Sequence, residues 1–443
     1  MPVVIRNATI ATANARKEIF LNTSVVIDNN RITALLPSGS GISDHDTEII
    51  DAAGFVLIPG FIQTHIHLCQ TLFRGLADDL ELLDWLRLRI FPLELAHNEH
   101  SMYASALIGI AELIRSGTTT ILDMGSVNHE EEIIRSIGET GLRAFVGKAM
   151  MDVNEIFPRL KESTEQSLKS TLKLAEQWHN SYDGRIHYAV APRFVLSCTD
   201  RLMREAFEMT SSFPGMLFHT HASENLHEVE SIRARCKMDN VEFLNHLGVL
   251  SERSCLAHCI HLNNNEYSIL KSTKARVVHC PSSNLKLGSG IANIPKLLGM
   301  DITVSLGADG APCNNNLNMF REMRLASLIQ KPFHGPTAMP AETIFRLATI
   351  EGAKALGVDK EIGSIEPGKK ADLVLLNLKD LHNPVNSNES LYSSIVYSAG
   401  QENVDSVMID GKWVFRKREF QNLDDEQIVA SAKKELINLT KRL

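Results

Sequence analysis

The feature that most constrains the fold is a regular alternation of β-rich runs with amphipathic helical runs through the middle of the chain. Eight β-rich runs occur, at residues 58–68, 118–124, 142–151, 186–194, 216–224, 254–262, 276–284 and 302–310. Helical periodicity lies between them, for example at residues 101–116, 165–178, 201–210 and 240–247. Eight strands alternating with helices over about 300 residues predict an α/β fold of the (β/α)₈ TIM-barrel type. An open doubly wound sheet is the rival, but no Gly-x-Gly-x-x-Gly motif follows any of these strands.

The two ends of the chain have a different pattern from the middle. Short β segments, separated by Asn, Asp and Gly, occur at residues 3–5, 24–28, 31–35, 368–377 and 404–415. The last of these contains the turn Asp410-Gly411-Lys412. We therefore predict a small β-sandwich domain built from both ends, residues 1–58 and 368–443, around a barrel domain of residues 59–367.

Charge and hydropathy limit the class of partner. The 443 residues are 44% hydrophobic and have a formal net charge of -8 without a long basic run, so neither nucleic acid nor an anionic membrane surface is expected as the partner. Residues 1–20 lack a signal-peptide pattern, and no apolar run of membrane-spanning length follows. We expect a cytoplasmic, homo-oligomeric protein that acts on a small molecule.

The cysteines do not predict a disulfide framework or a metal site. There are seven, an odd number, and no Cys-x-x-Cys pair is present. Cys255 and Cys259 lie in an apolar run, where a free cysteine is usually a small buried hydrophobic residue.

A cluster of metal-compatible residues is expected at one end of the barrel. His65 and His67 stand two positions apart near the end of the first strand, and the alternation of side chains along a strand points both to the same side. The carboxyl ends of barrel strands meet at the face where active sites form. Later strands bring further residues to that face, namely His219, His221, Glu224, His258, His279 and Asp309. Imidazoles and a carboxylate suit a divalent ion, zinc or iron, with an open position for water.

Chemistry suggests different tasks for these residues. Water bound to a divalent ion loses a proton near neutral pH, and a nearby carboxylate can take that proton. Glu224, three residues beyond His221, can lie in the pocket without binding the ion and can pass the proton to a leaving nitrogen. His258 can hydrogen-bond the developing hydroxide or the leaving group. We interpret His219 and His261 as packed or supporting histidines.

Eight motifs surround the candidate site residues. They are Pro59-Gly-Phe-Ile-Gln-Thr-His65-Ile-His67, Leu72-Phe-Arg-Gly-Leu-Ala-Asp-Asp-Leu, Asp84-Trp85-Leu86, Phe91-Pro-Leu-Glu94, His221-Ala-Ser-Glu224, Ala257-His258-Cys259-Ile-His-Leu, His279-Cys-Pro-Ser-Ser-Asn-Leu-Lys-Leu and Gly307-Ala-Asp309-Gly310-Ala. These motifs resemble one group of the amidohydrolase superfamily, the methylthioadenosine/S-adenosylhomocysteine deaminases and related 5'-deoxyadenosine deaminases. The resemblance runs from about Val3 to the C-terminal β segments.

The resemblance implies a metal-dependent aminohydrolase, an enzyme that acts on the C–N bond of a cyclic amidine. Such an enzyme replaces the 6-amino group of 5'-methylthioadenosine, S-adenosylhomocysteine or 5'-deoxyadenosine with oxygen and releases ammonia. The expected ligands of one zinc ion are His65, His67, His221 and Asp309. Glu224 and His258 are expected to do the acid/base and polarising work.

The same resemblance implies where the substrate binds. Glu94 would accept hydrogen bonds from the ribose hydroxyls, a suitable task for a carboxylate, Trp85 would form a wall of the pocket, and we also place His279 beside the substrate. Lys148 and Arg159 are candidates for contact with the 5'-substituent, although each is equally consistent with a solvated charge.

Strand four departs from the group and leaves alternatives open. It ends in Ala191-Pro192-Arg193-Phe194, where the nucleoside deaminases usually have a histidine, and this motif resembles guanine deaminases. Arg193 could bind a purine acceptor atom or an anion through its planar fork. A guanine deaminase or an s-triazine aminohydrolase or chlorohydrolase is therefore the alternative, and a catalytically silent barrel scaffold is a remote one. Residues 186–194 contain no lysine of the kind that bridges two metals in binuclear members, which favours a single ion.

Overall fold

The computed structural model describes residues 2–37, 39–40, 47–379 and 390–443. Its strands, β1 to β19 in chain order, are Val3–Ala11, Ile19–Asp28, Arg31–Pro37, Glu48–Asp51, Val56–Pro59, Phe61–His67, Thr118–Met124, Arg143–Gly147, Ala149–Met150, Ile186–Pro192, Leu217–Ala222, Ser254–His258, Arg276–His279, Val304–Leu306, Asp309–Gly310, Leu373–Leu376, Val404–Ile409, Lys412–Arg416 and Glu419–Phe420.

The α-helices of the described ranges, α1 to α19, are Leu82–Trp85, Phe91–Leu95, Glu99–Arg115, Glu130–Thr140, Thr164–Trp178, Ser181–Gly184, Asp200–Met209, Leu226–Cys236, Asn240–Leu247, Asn264–Thr273, Pro281–Lys286, Ile294–Gly299, Ala311–Asn314, Met319–Leu328, Lys331–His334, Ala341–Leu347, Ile350–Leu356, Leu391–Ser393 and Asp425–Thr440. A π-helical turn, Leu86–Ile90, joins α1 to α2. The four helices named from the sequence correspond to α3, α5, α7 and α9.

Parallel strands form the predicted barrel. Strands β6, β7, β8, β10, β11, β12, β13 and β14 pair in that order, β9 pairs with β10, and β15 pairs with β6. Strands β14 and β15 are the two halves of the eighth predicted run. Because β14 pairs with β13 and β15 pairs with β6, the sheet closes on itself. Gly307 lies between these halves, and a Cβ atom there would be only 2.7 Å from the carbonyl oxygen of His65. Each of the eight predicted runs contains a barrel strand, so the barrel prediction is confirmed.

The second sheet unites the two ends of the chain, as the sequence predicts. Its strand order is β19, β18, β17, β16, β5, β1, β2, β3, with β4 beside β1. The junction is antiparallel pairing of β16 with β5, which places Leu373 opposite Pro59. These strands form one continuous nine-stranded sheet. Because they come from the two ends of the chain, they support the domain boundaries that we propose at residues 58 and 367.

A buried ionic cluster joins the barrel to the end sheet. The guanidinium of Arg143, on β8, donates from Nε to Asp372 over 2.8 Å and from Nη2 to Asp410 over 3.1 Å. Helix α19 also packs on α3 of the barrel. All seven cysteines are free thiols. Along the described ranges, no helix is both long and apolar enough to cross a membrane.

Candidate active site

The barrel brings five of the predicted residues to one point at the carboxyl ends of its strands. His65 and His67 lie at the end of β6, His221 on β11, His258 at the end of β12 and Asp309 at the start of β15. Asp309 Oδ1 lies 3.3 Å from His65 Nε2 and 3.4 Å from His67 Nε2. His67 Nε2 lies 3.2 Å from His221 Nε2.

Main-chain carbonyls fix the rings of two of these histidines. His67 donates from Nδ1 to the carbonyl oxygen of Met124 over 2.7 Å, and His221 donates from Nδ1 to that of Arg193 over 2.6 Å. Since a carbonyl can only accept, both rings have their proton on Nδ1. Each Nε2 therefore presents a lone pair to the centre of the cluster.

His65 is oriented by a second histidine. His65 Nδ1 lies 2.8 Å from His219 Nε2, and His219 Nδ1 donates to the carbonyl oxygen of Cys255 over 3.0 Å. That carbonyl sets the tautomer of His219, whose Nε2 must then accept the proton of His65 Nδ1. His219 thus lies behind His65, as expected from its earlier position on the strand. His261 instead bonds the carbonyl oxygen of Ser289 over 2.7 Å.

The arrangement of these atoms fits a divalent cation. His65 Nε2 is buried and has no hydrogen-bond partner in the described ranges. Two Nε2 lone pairs face each other across 3.2 Å between His67 and His221. Burial lowers the pKa of His65 and of His221, and lowers that of His67 to about 3, so the three imidazoles are neutral. Neutral imidazoles beside a carboxylate form a donor set suited to zinc or a similar ion.

Asp309 is held as an acceptor facing this set. Ser283 donates to its Oδ2 over 2.6 Å, and the Gly310 main-chain N–H donates to its Oδ1 over 2.7 Å. Its backbone φ of 63° is in the left-handed region, which a non-glycine residue adopts rarely and mostly at constrained sites. Both hydrogen bonds favour the ionised carboxylate.

Glu224 and His258 lie beside the histidine–aspartate cluster. His258 Nε2 is 3.5 Å from Glu224 Oε2, and His258 Nδ1 lies 2.8 Å from Asn284 Oδ1. Burial, together with the negative charges of Asp309 and Glu228, raises the pKa of Glu224 well above its usual value. His258 also lies close enough to His65 and His221 for the three to form a possible ligand group. A carboxyl group that retains protons more strongly than usual is suited to general acid/base work.

A narrow cavity opens beside this cluster. The residues that line it are His67, Leu82, Trp85, Leu86, Arg193, Phe194, His221, Glu224, Glu228, Leu287 and Asp309. Trp85 lines this cavity, and its buried Nε1 has no hydrogen-bond partner among the residues that the structure describes. His279 is buried, and within the described part of the chain neither of its ring nitrogens has a hydrogen-bond partner, although His279 does not line this cavity.

Glu94 and Arg193 lie together. Arg193 Nη1 donates to Glu94 Oε2 over 2.9 Å, and Gln70 Nε2 donates to Glu94 Oε1 over 2.8 Å. The Glu94 side chain has no exposed area, whereas Arg193 lines the cavity. The Arg193 guanidinium also lies 5.1 Å from the ring centre of Phe91. Two residues that the sequence suggested for different substrates therefore form one unit.

The two candidates for the 5'-substituent lie elsewhere. Lys148 is buried in an ion pair with Glu162, and burial lowers the pKa of the Lys148 ammonium. Arg159 is exposed, and neither residue lines the cavity beside the histidine cluster.

Several participating residues were not found from the sequence. The His-Cys-Pro-Ser-Ser-Asn motif contains Ser283 and Asn284, but the sequence does not indicate their partners. In the structure Ser283 bonds Asp309, and Asn284 bonds His258. Glu228 and Asn225 form a helix-capping pattern that the sequence does display. The main-chain carbonyls of Met124 and Arg193 cannot be recognised as acceptors from the residue types, because every residue has a main-chain carbonyl.

A family model confirms the class of protein that this barrel and site define. Residues 56–414 match the model described as "Amidohydrolase family". The chain belongs to the amidohydrolase family.

Individual relatives match nearly the whole chain. A 5'-deoxyadenosine deaminase of Methanothermobacter thermautotrophicus is 39% identical over 418 residues, covering 94% of this chain and 95% of its own. A 5-methylthioadenosine/S-adenosylhomocysteine deaminase of Acetivibrio thermocellus is 36% identical, covering 98% of each chain.

Solved structures share the fold. An adenosine deaminase from Xanthomonas campestris with bound zinc superposes with a TM-score of 0.92 at 29% identity, covering 99% of this chain and 98% of its own. A guanine deaminase of E. coli superposes with a TM-score of 0.84 at 27% identity, covering 94% of this chain and 99% of its own.

Proposed function

We propose that this protein deaminates adenosine-type nucleosides, namely 5'-deoxyadenosine, 5'-methylthioadenosine and S-adenosylhomocysteine, to the inosine analogues with release of ammonia. The observation that supports the reaction type is the convergence of three neutral imidazoles and Asp309 beside Glu224 and His258. The names of relatives 36% to 39% identical over nearly the whole chain support the nucleoside class. We further propose a cytoplasmic, homo-oligomeric enzyme.

We infer that His65, His67, His221 and Asp309 hold one divalent ion, with zinc favoured over iron. Three nitrogen ligands and one oxygen ligand with a position left for water match a catalytic zinc site. Bound there, the ion would supply Lewis-acid activation of water and of the reacting ring.

Protons move through the chain's own side chains. Glu224 would accept a proton from the attacking water and deliver it to the leaving amino nitrogen, a double role that its raised pKa supports. His258, held by Asn284, would hydrogen-bond the oxygen that adds to the ring. The buried position of both residues limits the access of bulk water to this exchange.

The nucleoside would occupy the cavity next to these groups. Trp85 would pack on the base or the sugar, and its free Nε1 can donate to a substrate acceptor. Arg193 would contact the sugar through its donors on the cavity wall. Glu94 lies behind Arg193 with no exposed area, so its carboxylate would bind the sugar hydroxyls where the bound nucleoside displaces Arg193 from it.

Guanine is the second candidate substrate. Arg193 lies at the cavity wall with donors that can bind an acceptor atom of a free purine. This alternative differs from the first in needing no sugar.

A substrate panel tests the proposal. The zinc-loaded protein is assayed for ammonia release from 5'-deoxyadenosine, 5'-methylthioadenosine, S-adenosylhomocysteine, adenine and guanine, and for release of both ammonia and chloride from an amino-substituted chlorotriazine. We expect the nucleosides to have far higher kcat/KM than either free base. Guanine as the best substrate would replace the nucleoside assignment, triazine turnover would favour a triazine hydrolase, and no turnover of any compound would favour a silent scaffold.

A further inference from the structure

The N-cap residue of helix α8 follows Glu224 directly, and the hydrogen bonds at this helix start hold the backbone of Glu224. Asn225 is the N-cap of α8, and Glu228 is the third residue of the helix. The side chain of Asn225 and the side chain of Glu228 form a capping box, in which each accepts from the other's main-chain N–H.

Glu228 does more than cap the helix. Its Oε2 accepts the main-chain N–H of Glu224 over 2.8 Å and that of Asn225 over 3.4 Å. The first bond extends the capping box by one residue, back to the proposed acid/base itself. A carboxylate that accepts main-chain N–H groups at a helix start is a strong, charge-assisted acceptor.

The other oxygen of Glu228 is also occupied. Asn240, the first residue of α9, donates from Nδ2 to Glu228 Oε1 over 2.7 Å. Glu228 and Asn240 are both buried, at 1% and 0% exposure. With both oxygens bonded inside the protein, the Glu228 carboxylate has one position, and the Glu224 backbone is held to it.

The turn before the helix requires such a restraint. Ser223 has a φ of 52°, in the left-handed region, and its carbonyl oxygen accepts the N–H groups of Ile260 and His261. The chain thus leaves β11 through a sparsely populated conformation, which persists only where neighbouring bonds determine it. The bond from Glu224 N–H to Glu228 is one such determinant.

We propose that Glu228 is a positioning residue, which fixes the backbone of Glu224 so that its carboxyl group faces His258 and the cavity. This inference rests on the proposed function, because it takes Glu224 as the acid/base. Glu228 itself touches no reacting atom, although it lines the same cavity. Its role is to keep the Glu224 carboxyl group in register with the reacting centre.

The chain contains a matched control for this proposal. Glu266 is the third residue of α10 and forms the same capping box with the N-cap Asn263. It is equally buried, and its two oxygens accept the N–H groups of Asn263 and Val241, each over 2.8 Å. Glu266 does not line the cavity. Its removal therefore reproduces the structural loss without the expected catalytic one.

The test compares Glu228→Ala, Glu228→Gln and Glu266→Ala in the zinc-loaded full chain with 5'-deoxyadenosine. Turnover by the unmodified protein is measured first, and its failure would reject the proposed function rather than this inference. With turnover established, Glu228→Ala should lower kcat about 10- to 100-fold, the scale of an ångström-sized misplacement. KM and metal content should stay within about twofold.

The conservative variant separates position from charge. Glutamine can still accept the N–H of Glu224, as glutamine does in capping boxes, so Glu228→Gln should keep kcat within about threefold of the unmodified protein. Glu266→Ala should lower the melting temperature as Glu228→Ala does, and leave kcat unchanged.

Three results would overturn the proposal: a Glu228→Ala kcat within twofold of the unmodified protein, an equal loss in Glu266→Ala, or equal losses in Glu228→Gln and Glu228→Ala. If Glu228→Ala does not fold, Asn240→Ala tests the proposal instead, because it removes the hydrogen bond to Oε1 of Glu228. We then expect a fall in kcat of at least about threefold without a change in KM, and an unchanged kcat would reject the inference.

Discussion

The guanidinium of Arg193 and the carboxylate of Glu94 form a buried forked ion pair, with Nη1 2.9 Å from Oε2 and Nη2 3.2 Å from Oε1. Arg193 follows β10, and Glu94 lies in α2. The ion pair therefore connects α2, in the helical segment beside the cavity, to the barrel strand β10. Through its carbonyl oxygen, Arg193 also holds the ring of His221.

Removing one member of this pair should destabilise the protein. We expect Arg193→Ala and Glu94→Ala each to lower the free energy of unfolding by about 3–5 kcal/mol, because each leaves an uncompensated buried charge. The double variant should lose less than the sum of the two. Denaturant unfolding of the four proteins measures this cycle, with Arg201→Ala as control, because the Arg201–Glu165 pair is exposed and should contribute at most about 1 kcal/mol. Additive losses would show that the two residues do not interact.

Changing Glu94 to glutamine should affect nucleosides selectively. A charge-assisted hydrogen bond to a ribose hydroxyl contributes about 1.5–3 kcal/mol, which corresponds to a loss in kcat/KM of about 10- to 150-fold. Adenine and guanine have no ribose, so their kcat/KM should barely change. The comparison is made in one preparation, with kcat/KM measured for 5'-deoxyadenosine and for each free base. An equal loss on nucleosides and bases would contradict a sugar-binding role.

His219 should influence metal affinity although it does not face the metal site. His219→Phe removes the acceptor of His65 Nδ1, and loss of such a supporting group typically costs about 10- to 100-fold in metal affinity. Competition with a chromogenic chelator gives the zinc affinity. His261→Phe is the matched control, because it also removes one hydrogen bond between a histidine ring and a main-chain carbonyl but touches none of the proposed ligands. Equal zinc affinity in the two variants would show that His65 needs no support.

Zinc affinity should depend weakly on pH between 6 and 7.5. Burial lowers the pKa of His65 and His221 and lowers that of His67 to about 3. The rings are therefore neutral over more of this pH range than free imidazoles are, and protons compete less with zinc. Three ordinary imidazoles, with pKa values near 6.5, would instead cost about fiftyfold in affinity over that range. We expect a change below about tenfold in chelator competition at the two pH values, and a fiftyfold change would mean that the rings ionise normally.

The barrel could be predicted from the sequence because β-rich runs and amphipathic helical runs repeat in a regular order. Each β-rich run lies between amphipathic helical runs, and eight repeats leave few alternatives to a closed barrel. His65 and His67 could be placed on one side because the period of a strand is two. Closure through Gly307 and the pairing of β15 with β6 depends on a close backbone approach that residue type indicates only weakly.

The supporting bonds were harder to predict for a physical reason. Met124 and Arg193 act through main-chain carbonyls, which every residue type possesses. The partnership of Glu94 with Arg193 joins positions 99 residues apart, and no local pattern specifies such a contact. Glu228 was within reach, since Asn225-x-x-Glu228 is a recognisable capping sequence, but only the structure extends that capping bond to Glu224.

The central claim, a metal-dependent deamination in which Glu224 transfers the proton, is tested most directly by comparing the unmodified protein with Glu224→Gln. Metal content and ammonia release from 5'-deoxyadenosine are measured on the same samples. We expect about one zinc or iron ion per chain in both, and a turnover about 10²- to 10⁴-fold lower in Glu224→Gln, the usual effect of removing a positioned general acid or base. Near-normal turnover in metal-loaded Glu224→Gln, or full turnover by unmodified protein stripped of metal, would contradict the account.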